Sequence, residues 1–365
     1  MESLVARLPS PSFWRDRRVL VTGHTGFKGS WLTVWLDMMG ANTFGLSLPP
    51  QEVSLFRQAR LDFKTEWTSF GDVRHDADLH QVLQLSQPEV IFHLAAQPLV
   101  LAGYLDPVGT IDTNVMGTVR LLDAARQYES VQAIVIVTTD KVYRNQEMLH
   151  SYEEQDELGA ADPYSTSKAA ADLLSQSFIY SFAHEMNASI SIARAGNVIG
   201  GGDWAKDRLI PDAVRAWSDG MEFMIRNPTS TRPWQHVLEP LSGYMLLAES
   251  LFSGMTVTGA FNFGPALEDA WSVKDVVASA ARHWPGSKYR AGESVFGFKE
   301  AGLLHLDSKK AQEKLGYLPR WNLQNSIERT IRWYFDSIGD SDVRSRMLRE
   351  IEDFISSKPA AVSSQ

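Results

Sequence analysis

The chain has 365 residues, a formal charge of -9 at pH 7 and no cysteine. The missing cysteine excludes disulfides, thiolate catalysis and cysteine-ligated zinc, and suits a reducing cytoplasm; the acidic balance argues against non-specific nucleic-acid binding while leaving room for a local basic pocket. No apolar run approaches the roughly 18 residues of a membrane span, and the proline-interrupted polar stretch at 1–18 does not read as a secretory leader.

In chain order, short β-branched or aromatic runs at 18–22, 43–47, 66–70, 89–95, 132–138 and 189–194 predict strands. Helical patterns near 27–39, 76–86, 107–128 and 165–186 separate them. That alternation predicts an α/β protein with a doubly wound parallel sheet, the Rossmann arrangement, whose ligand crevice lies at the carboxyl ends of the strands. Glycine, tryptophan and proline then crowd 196–234, where the rhythm breaks and a smaller lobe should begin. The expected organisation is a nucleotide-binding domain over 1–196, with 236–264 returning to it. Segments 197–235 and 265–355 should form a C-terminal substrate-binding lobe, and 356–365 a disordered tail.

Gly23, Gly26 and Gly29 follow the first strand and open the first helix. Bare backbone there lets a pyrophosphate approach free N–H groups at the positive end of the helix dipole, so a dinucleotide is expected. The second strand ends in "GLSLPP" without the acidic residue that would hold a ribose 2'-hydroxyl, which leaves Ser47 as the nearest polar group and NAD versus NADP open. Asp72, after the third strand, either accepts from an adenine amino group or serves its own turn.

"YSTSK" puts Tyr164 and Lys168 four apart on one helix face. The ammonium is expected to lower the phenol's pKa toward neutrality and make it a general base for a sugar or alcohol hydroxyl. Thr139, at the end of the fifth strand, can bond the same oxygen. Asp140 and Lys141 follow it directly. Consecutive strand residues face opposite ways, so both reach one ligand only if the strand has already ended; the plain alternative is an exposed salt-bridging turn. No His, Asp and Glu cluster at metal-ligand spacing stands out, and no metal is expected.

The stretches "TGHTGFKG", "HLAAQ", "DTNVMGTVRLLDAA", "TTDKVY", "DPYSTSK" and "RAGNVIGGGDW" span nearly the whole chain and resemble the extended short-chain dehydrogenase/reductases. The resemblance implies NAD, held by Gly23, Thr25, Gly26, Phe27, Lys28, Gly29, Ser47, Asp72, Val73, Leu94, Ala95, Ala96, Asn114, Tyr164 and Lys168, with Asn114 also shaping the active-site helix. Thr139, Tyr164 and Lys168 would oxidise a nucleotide-linked sugar.

Within that family "TTDKVY" is similar to the sugar-nucleotide 4,6-dehydratases. It implies that Asp140 protonates the departing C6 hydroxyl and that Lys141, neutral, takes the C5 proton, as in members acting on CDP-glucose, where thymidine-linked members carry glutamate. The implied activity is an NAD-dependent lyase of deoxysugar and lipopolysaccharide O-antigen biosynthesis. Its substrate is CDP-glucose, with no nucleic-acid or membrane partner, and its form a cytoplasmic homodimer. Arg208 and Arg232, with Asn197, would meet the diphosphate, though either arginine could instead be a surface ion pair. Other readings are another sugar-nucleotide dehydratase or epimerase, and, from a different class, a non-catalytic NAD(H)-sensing or scaffold protein. The stretch 99–110 lacks the basic residues of the pattern, and 145–158 lacks its Trp-Gly-Tyr-Arg run.

Overall fold

The computed structural model describes residues 6–63, 68–146, 148, 150–182, 184–255, 257–266, 269, 271–292, 303–338 and 342–360. Its centre is a sheet of β1 (Arg18–Thr22), β2 (Asn42–Ser47), β3 (Thr68–Phe70), β4 (Val90–His93), β5 (Ala133–Val137), β6 (Ser189–Ala195) and β7 (Gly259–Phe263). Every pairing in it is parallel, in the order β7-β6-β5-β4-β1-β2-β3. The winding reverses between β1 and β4, which opens the crevice at a topological switch point. Residues 66 and 67 of the expected third strand lie outside the described residues.

The strands read as unbroken apolar runs because both faces of the sheet are covered. Val19 and Val21, with Phe92 and Val135, pack into one core, while Leu20, Ile91, Ile134 and Ile136 pack into the other. The first core closes against the helices Phe27–Met38, Leu238–Phe252 and Val343–Ser356, and holds Trp14, Trp31, Trp35, Trp234, Trp321 and Trp333. The second closes against Asp76–Ser86 and Gly117–Ala125.

The helix expected over 107–128 is broken. It runs Pro107–Ile111, widens into a π turn over Asp112–Met116, and resumes at Gly117–Ala125. The helix bearing Tyr164 spans Pro163–Phe182, and the Asp162 carboxylate accepts the Ser165 amide at 2.9 Å at its start.

Beyond β6 the chain builds short pairs: Glu222–Ile225 with Lys288–Ala291, and Thr231–Arg232 with Trp271–Ser272. The helices Leu209–Ser218 and Val273–Ala281 accompany them. At the carboxyl end, Ala360 N donates to the Pro319 carbonyl at 3.0 Å and Arg320 Nη1 to that of Ser357, so the chain is docked that far. Residues 361–365 of the expected disordered tail lie outside the described residues.

Candidate active site

One cavity of about 820 Å³ runs along the carboxyl ends of the strands, from the glycine turn to Arg232. Gly23 sits at φ +76°, a region side chains avoid, and a Cβ there would stand 2.7 Å from the Ala95 amide nitrogen. A Cβ on Gly29 would overlap the Gly23 carbonyl oxygen. The turn can be closed only with glycine, and it leaves the helix N-terminus bare toward the cavity. These residues fit a pyrophosphate.

Nearly all of the expected cofactor contacts line this cavity: Gly23, Thr25, Gly26, Phe27, Lys28 and Gly29, then Ser47, Asp72, Val73, Leu94, Ala95, Ala96, Tyr164 and Lys168. Ser47 Oγ shares a 2.7 Å hydrogen bond with Thr25 Oγ1. The Asp72 carboxylate serves its own turn. Arg74 donates to it through its amide at 2.9 Å and through Nη2 at 2.6 Å, and the Arg74 hydrogen bonds hold Asp72 below its ordinary pKa.

Asn114 needs correction as a cofactor contact. It is fully buried and takes no part in the cavity wall; its Oδ1 accepts the Gln97 amide at 2.8 Å, and its Nδ2 donates to the Gln97 carbonyl and to Ser167 Oγ. It ties the loop after β4 to the helix of Tyr164, and so acts through others. The π turn that presents it is a common mark of functional helices.

β5 ends at Val137, and Asp140–Val142 form a 3₁₀ turn capped by the Thr139 hydroxyl, so both Asp140 and Lys141 stand past the strand's end. Lys141 lines the cavity. Asp140 is fully buried behind it and, contrary to its expected place against the sugar, forms no part of the wall. Asp140 Oδ1 accepts from Thr139 Oγ1 at 2.8 Å and from Lys141 Nζ at 3.2 Å, while Oδ2 is buried without a hydrogen-bond partner. The salt bridge of the plain alternative is therefore present, with only 22% of the Lys141 side chain exposed. Asn197, expected near the phosphates, also lines the cavity and accepts from Lys141 Nζ at 3.0 Å.

The phenol is not lowered toward neutrality. Burial pushes Tyr164 up to about 12, against Arg208, and a hydrogen bond with Thr139 pulls it down. Lys168 Nζ is instead turned to the Val137 carbonyl at 3.0 Å, and burial lowers it to about 8. Lys28 Nζ lies 3.4 Å from the Tyr244 hydroxyl; burial, with Arg208, Lys168 and Lys141 nearby, lowers Lys28 to about 7.

In the second lobe both expected arginines reach the cavity. Arg232 is buried and donates to the Thr231 carbonyl at 2.9 Å, and Arg208 is paired with Asp203 at 3.0 Å. Arg226, not anticipated, joins them on the wall between Asp207 and Asp212. A buried clamp also escaped sequence reasoning: Arg194 holds Asp172 and the Tyr143 hydroxyl, fixing the turn of Asp140 to the helix of Tyr164. Among the described residues no metal-ligating cluster occurs.

A nucleotide-binding turn, a Thr-Tyr-Lys set and an added amine on one switch-point cavity, with a carboxyl buried behind the amine, define a sugar-nucleotide-modifying oxidoreductase fold. Residues 20–330 match the GDP-mannose 4,6 dehydratase family model, and the chain belongs to that family of extended short-chain dehydrogenase/reductases. It is 44% identical to the CDP-glucose 4,6-dehydratase of Salmonella typhimurium, over 94% of this chain and 98% of that one. It is 30% identical to a dTDP-glucose 4,6-dehydratase of Streptomyces antibioticus, over 73% and 76%. The solved structure of DesIV, a dTDP-glucose 4,6-dehydratase from Streptomyces venezuelae with NAD and TYD bound, superposes with a TM-score of 0.74 at 25% identity, covering 88% of this chain and 98% of that one.

Proposed function

We propose that the protein is an NAD-dependent hydro-lyase converting CDP-glucose to CDP-4-keto-6-deoxyglucose and water. The observation that carries this reading is the Thr139-Asp140-Lys141 turn beside Tyr164 in the nucleotide cavity, because oxidation alone needs neither the buried carboxyl nor the second amine. The likeness to the Salmonella typhimurium enzyme supports the choice of nucleotide and sugar.

NAD, which the glycine turn and the cavity wall around Ser47 and Asp72 would hold, would supply the hydride-accepting and hydride-donating chemistry. Tyr164 takes the proton of the C4 hydroxyl, with Thr139 bonding the same oxygen. The resulting 4-keto sugar has an acidic C5 proton, which Lys141 removes in its neutral form, having passed its own proton to Asp140, 3.2 Å away, for loss of the C6 oxygen as water. Arg208 and Arg232 hold the diphosphate, Arg232 within a buried setting where its planar fork loses little to solvent.

The helices over 100–125 and 163–182 leave apolar side chains bare, among them Leu105, Val108, Leu173 and Tyr180. They support a homodimer that covers them. The lack of cysteine supports a cytoplasmic site of action, and the 4-keto-6-deoxy product is a precursor for deoxysugar biosynthesis, as in lipopolysaccharide O-antigens.

The test is incubation with NAD and CDP-glucose deuterated at C4. The expected product has lost one water and carries deuterium at C6; product without label at C6, or no turnover, rejects the reading.

A further inference from the structure

Two acceptors of different kind hold the amine of Lys141. Its Nζ donates to the Asp140 carboxylate at 3.2 Å and to the Asn197 side-chain oxygen at 3.0 Å. An ammonium carries three hydrogens and accepts nothing, so the Asn197 amide has to present Oδ1 here, and these two bonds leave a third N–H. Asp140 is fully buried behind the cavity wall, whereas Lys141 and Asn197 both stand on it. With one bond running back to Asp140 and one along the wall to Asn197, the third position is the one open to the cavity.

Asn197 is anchored independently of the turn that carries Lys141. It lies between the end of β6 at Ala195 and Val198–Ile199, which pairs in parallel with Gln235–His236. Its carbonyl accepts the Gln235 amide at 3.1 Å, and the preceding Gly196 packs so closely on Pro233 that a Cβ there would stand 2.6 Å from the proline ring. The amide is thus fixed to the segment that carries Arg232, while Asp140 belongs to the same turn as Lys141.

The difference between the acceptors matters once the ammonium gives a proton to Asp140. The amine then keeps two N–H bonds and gains a lone pair. One staggered step about Cε–Nζ keeps an N–H on Asn197 and brings the lone pair to the third position, toward the cavity. A neutral amide oxygen binds the amine in either form, whereas a second carboxylate would favour the ammonium and oppose the transfer.

We infer that Asn197 is a positioning residue of the elimination, its amide oxygen steering the lone pair of Lys141 to C5 of the 4-keto sugar. This rests on the 4,6-dehydratase reading. In the step it governs, the neutral amine forms an N–H bond to the C5 proton, the C5–H bond breaks, and its electron pair passes into the enolate of the C4 ketone. Lys141 is an ammonium again, and Asp140 still holds the proton it received.

The test uses the full NAD-loaded chain with CDP-glucose. Absorbance of the reduced cofactor follows oxidation as its rise and hydride return as its fall, and substrate deuterated at C5 marks the proton abstraction. Asn197→Leu, close in size but without an acceptor, should leave the rise near the parent rate, slow the fall about 100-fold as the amine loses its aim, and give a primary C5 isotope effect on kcat with KM little changed. Asn197→Asp, which keeps an acceptor in place and adds a charge, should slow the fall at least about tenfold, since a neighbouring carboxylate favours a charged amine by about one pKa unit or more.

A raised KM with kcat kept, an equal slowing of rise and fall, or an Asn197→Asp variant whose fall matches the parent overturns the inference. If the unmodified protein shows no transient reduction of NAD and no dehydrated product from CDP-glucose, the dehydratase reading falls instead, and the inference with it.

Discussion

Replacing Arg194 by methionine should loosen the turn that carries Asp140 and Lys141. Arg194 is 1% exposed and donates to Asp172 through Nε and Nη2, both at 2.8 Å, and through Nη1 to the Tyr143 hydroxyl at 2.9 Å. Asp172 lies on the helix of Tyr164, fully buried, and Tyr143 closes the turn after β5. Removing one partner of a buried pair strands the other charge, which costs about 3–5 kcal/mol. Asp172 keeps the Thr138 hydroxyl at 3.1 Å and Gln176 Nε2 at 2.8 Å. Two surviving donors put the Arg194→Met cost at the lower end, about 3 kcal/mol. Adding Asp172→Asn removes the stranded charge, so the double variant should recover about 2 kcal/mol relative to the sum of the singles. Urea unfolding of the chain at fixed saturating NAD would show this as a shift in midpoint with an unchanged slope. A single-variant cost under about 1 kcal/mol, or strict additivity in the cycle, would refute the clamp.

Gly29→Ala should weaken NAD binding at least about tenfold, since displacing the Gly23 carbonyl costs on the order of 1–3 kcal/mol and spoils the cradle; isothermal titration giving the parent affinity would count against the turn. Lys28→Met should stabilise the protein more at pH 6 than at pH 10. The folded chain releases the Lys28 proton above about 7 whereas the unfolded chain keeps it to 10.5. Unfolding therefore takes up a proton between those values, stability rises with pH across that window, and the whole cost of the buried charge is present below it. Equal shifts in urea midpoint at the two pH values would reject the argument.

The parts of the fold that were legible are those whose local pattern and tertiary setting agree. β1, β4 and β5 lie between two cores, so burial on both faces wrote an unbroken apolar run into each. β7 did not announce itself. Its "GAFNF" includes a glycine and Asn262, a polar residue tolerated because its Oδ1 accepts from Tyr143 and its Nδ2 donates to the Tyr152 carbonyl, partners far away in sequence. The glycine turn and the Tyr-Lys spacing were likewise readable, because both are short-range geometry. Whether Lys168 faces the phenol or the Val137 carbonyl, and whether Asp140 stands on the wall or behind it, depends on packing that spacing does not encode. The π turn was hidden for the same reason: the residues 107–128 keep a helical pattern while the backbone widens to bring Asn114 to Gln97 and Ser167.

The placement of cations resolves two demands that oppose each other. Diphosphate recognition needs charges that persist, whereas removal of a C5 proton needs an amine that can be neutral. Arginine cannot lose its proton under ordinary conditions, and the second lobe presents Arg208, Arg226 and Arg232 to the cavity. Lysine loses its proton readily when buried, and beneath the strand ends burial lowers Lys28 to about 7 and Lys168 to about 8. Among the described residues, Asp140 is the one carboxylate hydrogen-bonded to Lys141, the neighbouring amine, and it is closed to solvent.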